Sequence, residues 1–207
     1  MQLAGGNVVA AKGSFEQALE RRYAAARVDL AQLLSQSSGM LDLRRAVSLY
    51  QQAFEDGVTI AGFELGGLYE RGVRDDAHDH SSRYVLVPDE PRAWGWYQRA
   101  ADAGDPNALG RFAEREADLA YTSTDAEQRK LHLLASFHLY AAAAERARME
   151  DWPDDAWRDW RYRRASLARG LAQAGMMQEV AEEYARVRAR YMPRHATAWE
   201  RLFFTSP

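Results

Sequence analysis

Five residues between positions 75 and 80 are of types that bind metal ions. Asp75, Asp76 and Asp79 supply carboxylates, and His78 and His80 stand two positions apart. Imidazole nitrogens and carboxylate oxygens are ligands for zinc and similar divalent cations. Such a site also needs a further fixed ligand from a helix, and the sequence does not point to one. We therefore interpret the cluster as a solvated polar loop, and we predict no metal site and no cofactor.

A second stretch, residues 157–164, mixes aromatic and basic side chains. Aromatic rings stack on nucleic-acid bases and arginines neutralise phosphates, so the mixture suits single-stranded nucleic acid. On a helix, however, Trp157, Trp160 and Arg164 share one face, which favours packing of the two indoles. The chain carries 27 basic and 30 acidic residues and a net charge of -3. This balance argues against a nucleic-acid partner.

Residues that could serve in catalysis are scattered along the chain. His132 and His138 stand six residues apart on one predicted helix and do not share a face. The chain has no Cys, which excludes thiol catalysis, disulfides and zinc–thiolate sites. Paired carboxylates are defined in space and not in sequence, so an enzyme with a carboxylate site on a concave face stays open as a disfavoured alternative.

The clearest pattern in the chain is a repeat, which would have to position any functional residue. Residues 45–57 return in similar form as residues 92–104. Ala46 and Ala93 are 47 residues apart, and the same offset relates Tyr50 to Tyr97 and Gly57 to Gly104. Repeats of about 20 to 50 residues indicate small units that bury their apolar faces only by stacking. The repeat predicts an extended surface of helical hairpins, which favours binding of another macromolecule.

Apolar residues recur at three and four positions almost throughout, which predicts helices. Expected helices run from Ser14 to a turn at 37–39, from 41 or 42 to Gly57, over 59–71, around Trp94, and over 106–121, 126–148, 154–174 and 176–191. The turn after the Trp94 helix is expected at Gly104, with Asp105 as the cap of the next helix and Pro106 in its first turn. Residues 74–90 interrupt the rhythm and predict a polar loop insertion, in which 84–87 suit an extended backbone. We expect a flexible leader at 1–13 and a single domain at 14–207.

The composition is that of an ordinary globular chain, with 47% apolar and 28% charged residues. No stretch is long and apolar enough to span a bilayer, so membrane insertion is not expected. The first eleven residues lack the basic and apolar regions of a secretory signal. Localisation stays open: periplasmic if a signal precedes these residues in the natural protein, and cytoplasmic otherwise.

Residues 61–72, with the sequence Ala-Gly-Phe-Glu-Leu-Gly-Gly-Leu-Tyr-Glu-Arg-Gly, are followed by Ala93, Trp96-Tyr97, Arg99-Ala100-Ala101, Gly104 and Ala108. This pattern resembles the Sel-1-like repeat, a relative of the tetratricopeptide repeat, over about residues 24–147. The resemblance implies an all-α, right-handed α-solenoid of four antiparallel helical hairpins. It also implies a non-enzymatic adaptor that binds a protein or peptide on its concave face. Some members resemble bacterial immunity proteins, which neutralise a secreted toxin or effector by binding it.

The packing register of one repeat selects candidate binding residues. If Ala61, Leu65 and Tyr69 face inward, other positions of the same helix point away from its hairpin partner. The 47-residue offset then adds their counterparts in the next repeat. The sequence thus predicts a partner-binding strip, called the first-helix strip below: Phe63, Glu64, Gly67, Arg71, Gly110, Arg111, Glu114 and Asp118. A structural or signalling scaffold of the bacterial envelope is the alternative to an immunity role.

Overall fold

The computed structural model describes residues 12, 24–36, 39–75, 82–150, 158–173, 175–176, 178–180 and 182. Its helices are α1 (Ala24–Ser35), α2 (Met40–Glu55), α3 (Ile60–Arg71), α4 (Glu90–Asp102), α5 (Pro106–Thr122), α6 (Ala126–Met149) and α7 (Arg158–Gln173). Two short strands, β1 (Val73–Arg74) and β2 (Tyr84–Leu86), lie between α3 and α4. The predicted helices are therefore present wherever the structure describes them. Most of the leader and the expected helix over 176–191 lie outside the described residues.

Contacts divide the chain into two compact units, Met1–Ala100 and Ala101–Pro207. In unit 1, α1 packs on α2, α2 packs on α3, and α1 also contacts α3. In unit 2, α5 packs on α6 and α6 packs on α7. The first helix of each predicted hairpin is thus α1, α3, α5 or α7, and the second is α2, α4 or α6. The predicted single domain over 14–207 stays a prediction.

Small residues bring the helices of unit 1 close together. A Cβ atom built on Gly66 of α3 would lie 2.6 Å from the Tyr97 ring and 3.2 Å from the Ala93 carbonyl oxygen of α4. A Cβ atom on Gly62 would lie 2.8 Å from the Phe54 ring and 3.1 Å from the Ala100 Cβ. Glycine is therefore required where α3 crosses its neighbours, as the repeat pattern predicts.

The turns that end the repeats follow from their residue types. Gly57 and Gly104 have φ of 92° and 89°, a backbone region that favours glycine. After Gly104, the Asp105 carboxylate accepts a hydrogen bond from the Ala108 backbone N–H at 2.9 Å, and Pro106 occupies the first turn of α5. The predicted cap and stop at this turn are confirmed.

The insertion between α3 and α4 contains more structure than a polar loop. Strands β1 and β2 pair antiparallel, with Val73 opposite Leu86 and Arg74 opposite Tyr84. The Arg74 guanidinium lies 3.9 Å from the centroid of the Tyr84 ring and donates hydrogen bonds to the Tyr84 hydroxyl and to the Ser82 carbonyl. This cross-strand contact holds the two ends of the insertion together.

The core of unit 2 is centred on α6, whose residues 136–145 are all buried. Leu134 and Phe137 of α6 form an apolar cluster with Leu171 and Met176. Ala144 and Ala147 form a smaller one, against which Trp160 of α7 packs. Ala147 stands where the two earlier repeats have a turn-forming glycine, and α6 accordingly continues through it to Met149.

Candidate functional site

Phe63 and Gly67 of α3 do not point away from the hairpin partner as the register predicted. The Phe63 ring is half-buried, and its centroid lies 5.5 Å from that of the Tyr97 ring on α4. Gly67 is buried, and a Cβ atom there would lie 3.6 Å from the Tyr97 hydroxyl. The predicted orientation is wrong at these two positions, because the long Tyr97 side chain extends past the row of inward-facing α3 residues, Ala61, Leu65 and Tyr69.

Glu64 and Arg71 of α3 share one electrostatic environment with Tyr50 of α2. Burial raises the pKa of the half-buried Glu64 carboxyl, and the charge of Arg71 lowers it. Burial also raises the pKa of Tyr50 to about 12, with a further increase from the Glu64 charge, while Ser35 and Arg71 act in the opposite direction. The structure therefore brings together two of the predicted residues of unit 1 around a buried hydroxyl that the sequence had not singled out.

The Arg71 side chain is exposed and folds back along α3. Its Nη1 atom would lie 2.8 Å from a Cβ atom placed on Gly67, one helical turn earlier. The absence of a side chain at Gly67 thus makes room for the Arg71 guanidinium. Beside it, the Tyr97 hydroxyl donates a hydrogen bond to Glu70 Oε2 at 2.7 Å. The surface of α3 therefore places the Arg71 guanidinium near the Tyr97 hydroxyl and the Glu70 carboxylate.

The unit 2 residues of the first-helix strip all lie on α5. Arg111 Nη1 and Glu114 Oε2 form an ion pair at 3.2 Å, and the two side chains are 34% and 35% exposed. Asp118 is exposed one turn further along. Gly110 is different, because it is buried and a Cβ atom there would lie 2.7 Å from Nε1 of Trp160 on α7. The Trp160 indole therefore covers Gly110 in the structure, and the role of Gly110 in partner binding stays a prediction.

Tyr140 of α6 repeats in unit 2 the situation of Tyr50. Arg163 Nη1 of α7 lies 3.5 Å from the Tyr140 hydroxyl, and Arg163 Nε donates to Asp159 Oδ2 at 2.6 Å. Burial raises the pKa of Tyr140; Arg163 lowers it, and Glu114 of α5 raises it. Glu114 therefore belongs to the same electrostatic environment as the tyrosine and the α7 ion pair.

Tyr50, Tyr97 and Tyr140 occupy one position of the repeat, at spacings of 47 and 43 residues. Their exposed fractions are 2%, 2% and 1%. Each hydroxyl is nevertheless affected by charged side chains of first helices: Glu64 and Arg71 for Tyr50, Glu70 for Tyr97, and Arg163 for Tyr140. No polar role for this tyrosine was predicted from the sequence. The recurrence of tyrosine at this spacing could have indicated a role for the hydroxyl, because a residue that only packs in the core needs no hydroxyl.

Metal-ligand residue types do not cluster in the described part of the chain. The described residues contain no group of three or more His, Asp or Glu side chains placed to hold a metal ion. Asp76, His78 and His80 lie outside the described residues, so the prediction for that cluster stays untested. The His132 Nδ1 atom lies 2.7 Å from Glu116 Oε2, an interaction that links α6 to α5. Nor is any helix of the described part long and apolar enough to cross a membrane.

Comparison of the sequence with protein-family profiles and with curated proteins finds no match. Among solved structures, the chain is similar to a protective antigen present in uropathogenic Escherichia coli strains, which displays an SLR (Sel1-like repeat) fold. The TM-score is 0.59 at 17% sequence identity, over 95% of this chain and 36% of that protein. The chain thus spans about a third of its structural neighbour. The Sel-1-like resemblance is confirmed at the level of the fold, and this chain has the all-α architecture of a Sel1-like repeat.

Proposed function

We propose that the protein is a non-enzymatic module that binds a partner protein through the surface of its first helices, the concave face of the repeat. The observation that carries the proposal is the repeated placement of charged first-helix residues around a buried tyrosine hydroxyl. The charges of Glu64 and Arg71 act on the Tyr50 hydroxyl, and those of Arg163 and Asp159 act on the Tyr140 hydroxyl. Charges of both signs at fixed positions select partners by complementarity.

The chemistry of these surfaces fits protein recognition better than turnover. Phe63 offers half-buried aromatic area fixed against Tyr97, and Arg71 offers an exposed guanidinium; aromatic residues and arginine are enriched where binding energy concentrates. On α5, the charge of Arg111 is paired with that of Glu114. A fixed pattern of this kind orients a partner without supplying a nucleophile or a general base with a matched pKa.

We further propose that the partner is a secreted bacterial effector and that binding neutralises it. This finer assignment rests on the family resemblance. In this role the protein forms a tight complex of fixed stoichiometry and changes no bond in the effector. A scaffold of the bacterial envelope would instead use the same surface for an assembly partner, and the identity of the captured protein distinguishes the two.

The test is affinity capture from the natural host with three immobilised proteins. The first is the wild type. The second carries Arg71→Glu and Arg111→Glu, which reverse a charge in each unit's part of the strip. The third carries Arg44→Glu and Arg129→Glu, on the second helices α2 and α6, and undergoes the same change in net charge. Mass spectrometry then identifies proteins that the wild type and the third protein retain but the second loses.

A protein with that pattern of retention supports the proposal, and its neutralisation by the wild type in a toxicity assay supports the immunity role. Equal retention by all three proteins excludes the first-helix strip as the interface. Turnover of a small molecule by the purified chain, abolished by Glu64→Gln or Glu114→Gln, would favour the enzyme alternative.

A further inference from the structure

One face of α6 is buried although its counterparts in the earlier repeats are exposed. Leu134 and His138 lie one turn apart on α6 and are buried, with 4% and 1% exposure. The repeat register aligns Leu134 with Arg44 and Pro91, which are both exposed. It aligns His138 with Ser48 and Gly95, which are exposed as well. This face of α6 therefore has a cover that neither α2 nor α4 needs.

The cover consists of residues 171–173, at the C-terminal end of α7, and of the described residues 175, 176 and 178–180, which follow that helix. Leu171 and Met176 join the apolar cluster of Leu134 and Phe137, and Val180 packs against it. Glu179 Oε1 forms an ion pair with Lys130 Nζ of α6 at 2.9 Å. Because each of these contacts closes over the face of α6, detachment of the cover would open a path from His138 to water.

His138 is the titratable group beneath this cover. Its ring meets the Phe137 ring edge-on, with 4.9 Å between centroids. Burial lowers its pKa to about 4, against a smaller opposing effect from the Val180 backbone. The charged groups on and around α6 have partners of their own and do not enter this shift: Lys130 with Glu179, Glu116 with His132, Glu145 with Arg148, and Arg163 with Asp159. On α7, Arg164 lies near Arg161 and Glu145.

We propose that His138 makes the attachment of this cover to α6 sensitive to acid. A buried imidazole takes up a proton readily only after the cover opens and water reaches it. Acid therefore favours the open form of unit 2. The inference is independent of the proposed partner binding, because it concerns the stability of this cover alone.

The expected effect follows from linkage. An opened His138 titrates near its ordinary pKa of about 6.5, and the covered one near about 4. The stabilising contribution is complete above pH 6.5 and is lost as the pH falls towards 4, since the open state binds more protons in that window. The opening equilibrium should rise about 30-fold between about pH 7.5 and about pH 5.

The test is amide hydrogen exchange of the full chain at these two pH values, corrected for the intrinsic rates. We expect opening of residues 171–173 and of the facing turns of α6 to rise about 30-fold in the wild type and to stay level in His138→Gln, while α2 and α3 stay unchanged. His132→Gln is the matched control and should keep the wild-type response. An equal rise in His138→Gln, or no rise in the wild type, would overturn the inference. If His138→Gln does not fold, NMR titration of the wild-type imidazole decides: a midpoint below 5 supports the inference, and one near 6.5 refutes it.

Discussion

Gly66→Ala and Gly95→Ala place the same methyl group in two helices of the same predicted hairpin. Alanine favours a helix over glycine by about 1 kcal/mol, so both variants gain a similar amount from the backbone. They differ in the space available. A Cβ atom on Gly95 meets no heavy atom within 4 Å, whereas one on Gly66 lies 2.6 Å from two carbons of the Tyr97 ring.

The Tyr97 ring cannot move away at low cost. Its hydroxyl donates to Glu70, and its ring packs against both Phe63 and Trp94, each with 5.5 Å between centroids. Overpacking costs about 1 to 3 kcal/mol, and the pinned ring places Gly66→Ala at the upper end. After the gain in helix propensity, Gly66→Ala should lower the free energy of unfolding by about 2 kcal/mol. Gly95→Ala should raise it by up to about 1 kcal/mol.

Urea denaturation followed by far-ultraviolet circular dichroism measures both variants against the wild type. The predicted separation between them is about 3 kcal/mol, well above the error of such extrapolations. Should Gly66→Ala equal or exceed Gly95→Ala in stability, the close approach of α3 to α4 assigned from the repeat is incorrect.

Three further predictions test the caps, the core and the buried hydroxyl. Asp105→Ala should lower the free energy of unfolding, measured by urea denaturation, by about 2 kcal/mol, because the buried Asp105 carboxylate caps α5. Asp125→Ala, at the exposed cap of α6, should lower it by about 1 kcal/mol. Equal and negligible losses in the two variants would refute the capping role. Ala100→Arg should cost several kcal/mol, because Ala100 is fully buried beside Gly62, and an unchanged urea midpoint would contradict this packing. Spectrophotometric titration should show a tyrosine with a midpoint near 12 that Tyr50→Phe removes. The contribution of the buried Tyr50 hydroxyl to stability is present below pH 10 and is lost as the pH rises towards 12. A titration midpoint of 10 for Tyr50 would show that the hydroxyl is not buried.

The features predicted correctly from the sequence are local or repeated. Gly57 and Gly104 end their helices because of backbone preferences, and Asp105 caps α5 because of its side-chain reach. Because residues 47 positions apart are equivalent, the packing of Ala93 and its neighbours was predictable from the preceding repeat. Periodicity alone sufficed for the helices because each buries one apolar face.

Features that depend on contacts between distant segments were not predictable in the same way. Trp160 covers Gly110 from α7, where the sequence no longer follows the repeat. The burial of His138 likewise depends on the cover at the end of α7, which is far from His138 along the chain. For the proposed binding strip, the sequence predicted Glu64 and Arg71 but not the tyrosine hydroxyl near them, since hydropathy does not reveal a hydroxyl in a core position.

Calorimetric titration of a purified partner onto the charge-reversal variants tests the central claim most directly. Arg71→Glu with Arg111→Glu should weaken binding at least tenfold, or about 1.4 kcal/mol. The melting temperature should change little, because the exposed Arg71 and the partly exposed Arg111 ion pair contribute about 1 kcal/mol or less each to stability. Arg44→Glu with Arg129→Glu should bind like the wild type. Undiminished binding by the Arg71 and Arg111 variant, or equal weakening by both variants, would contradict recognition through the first-helix surface.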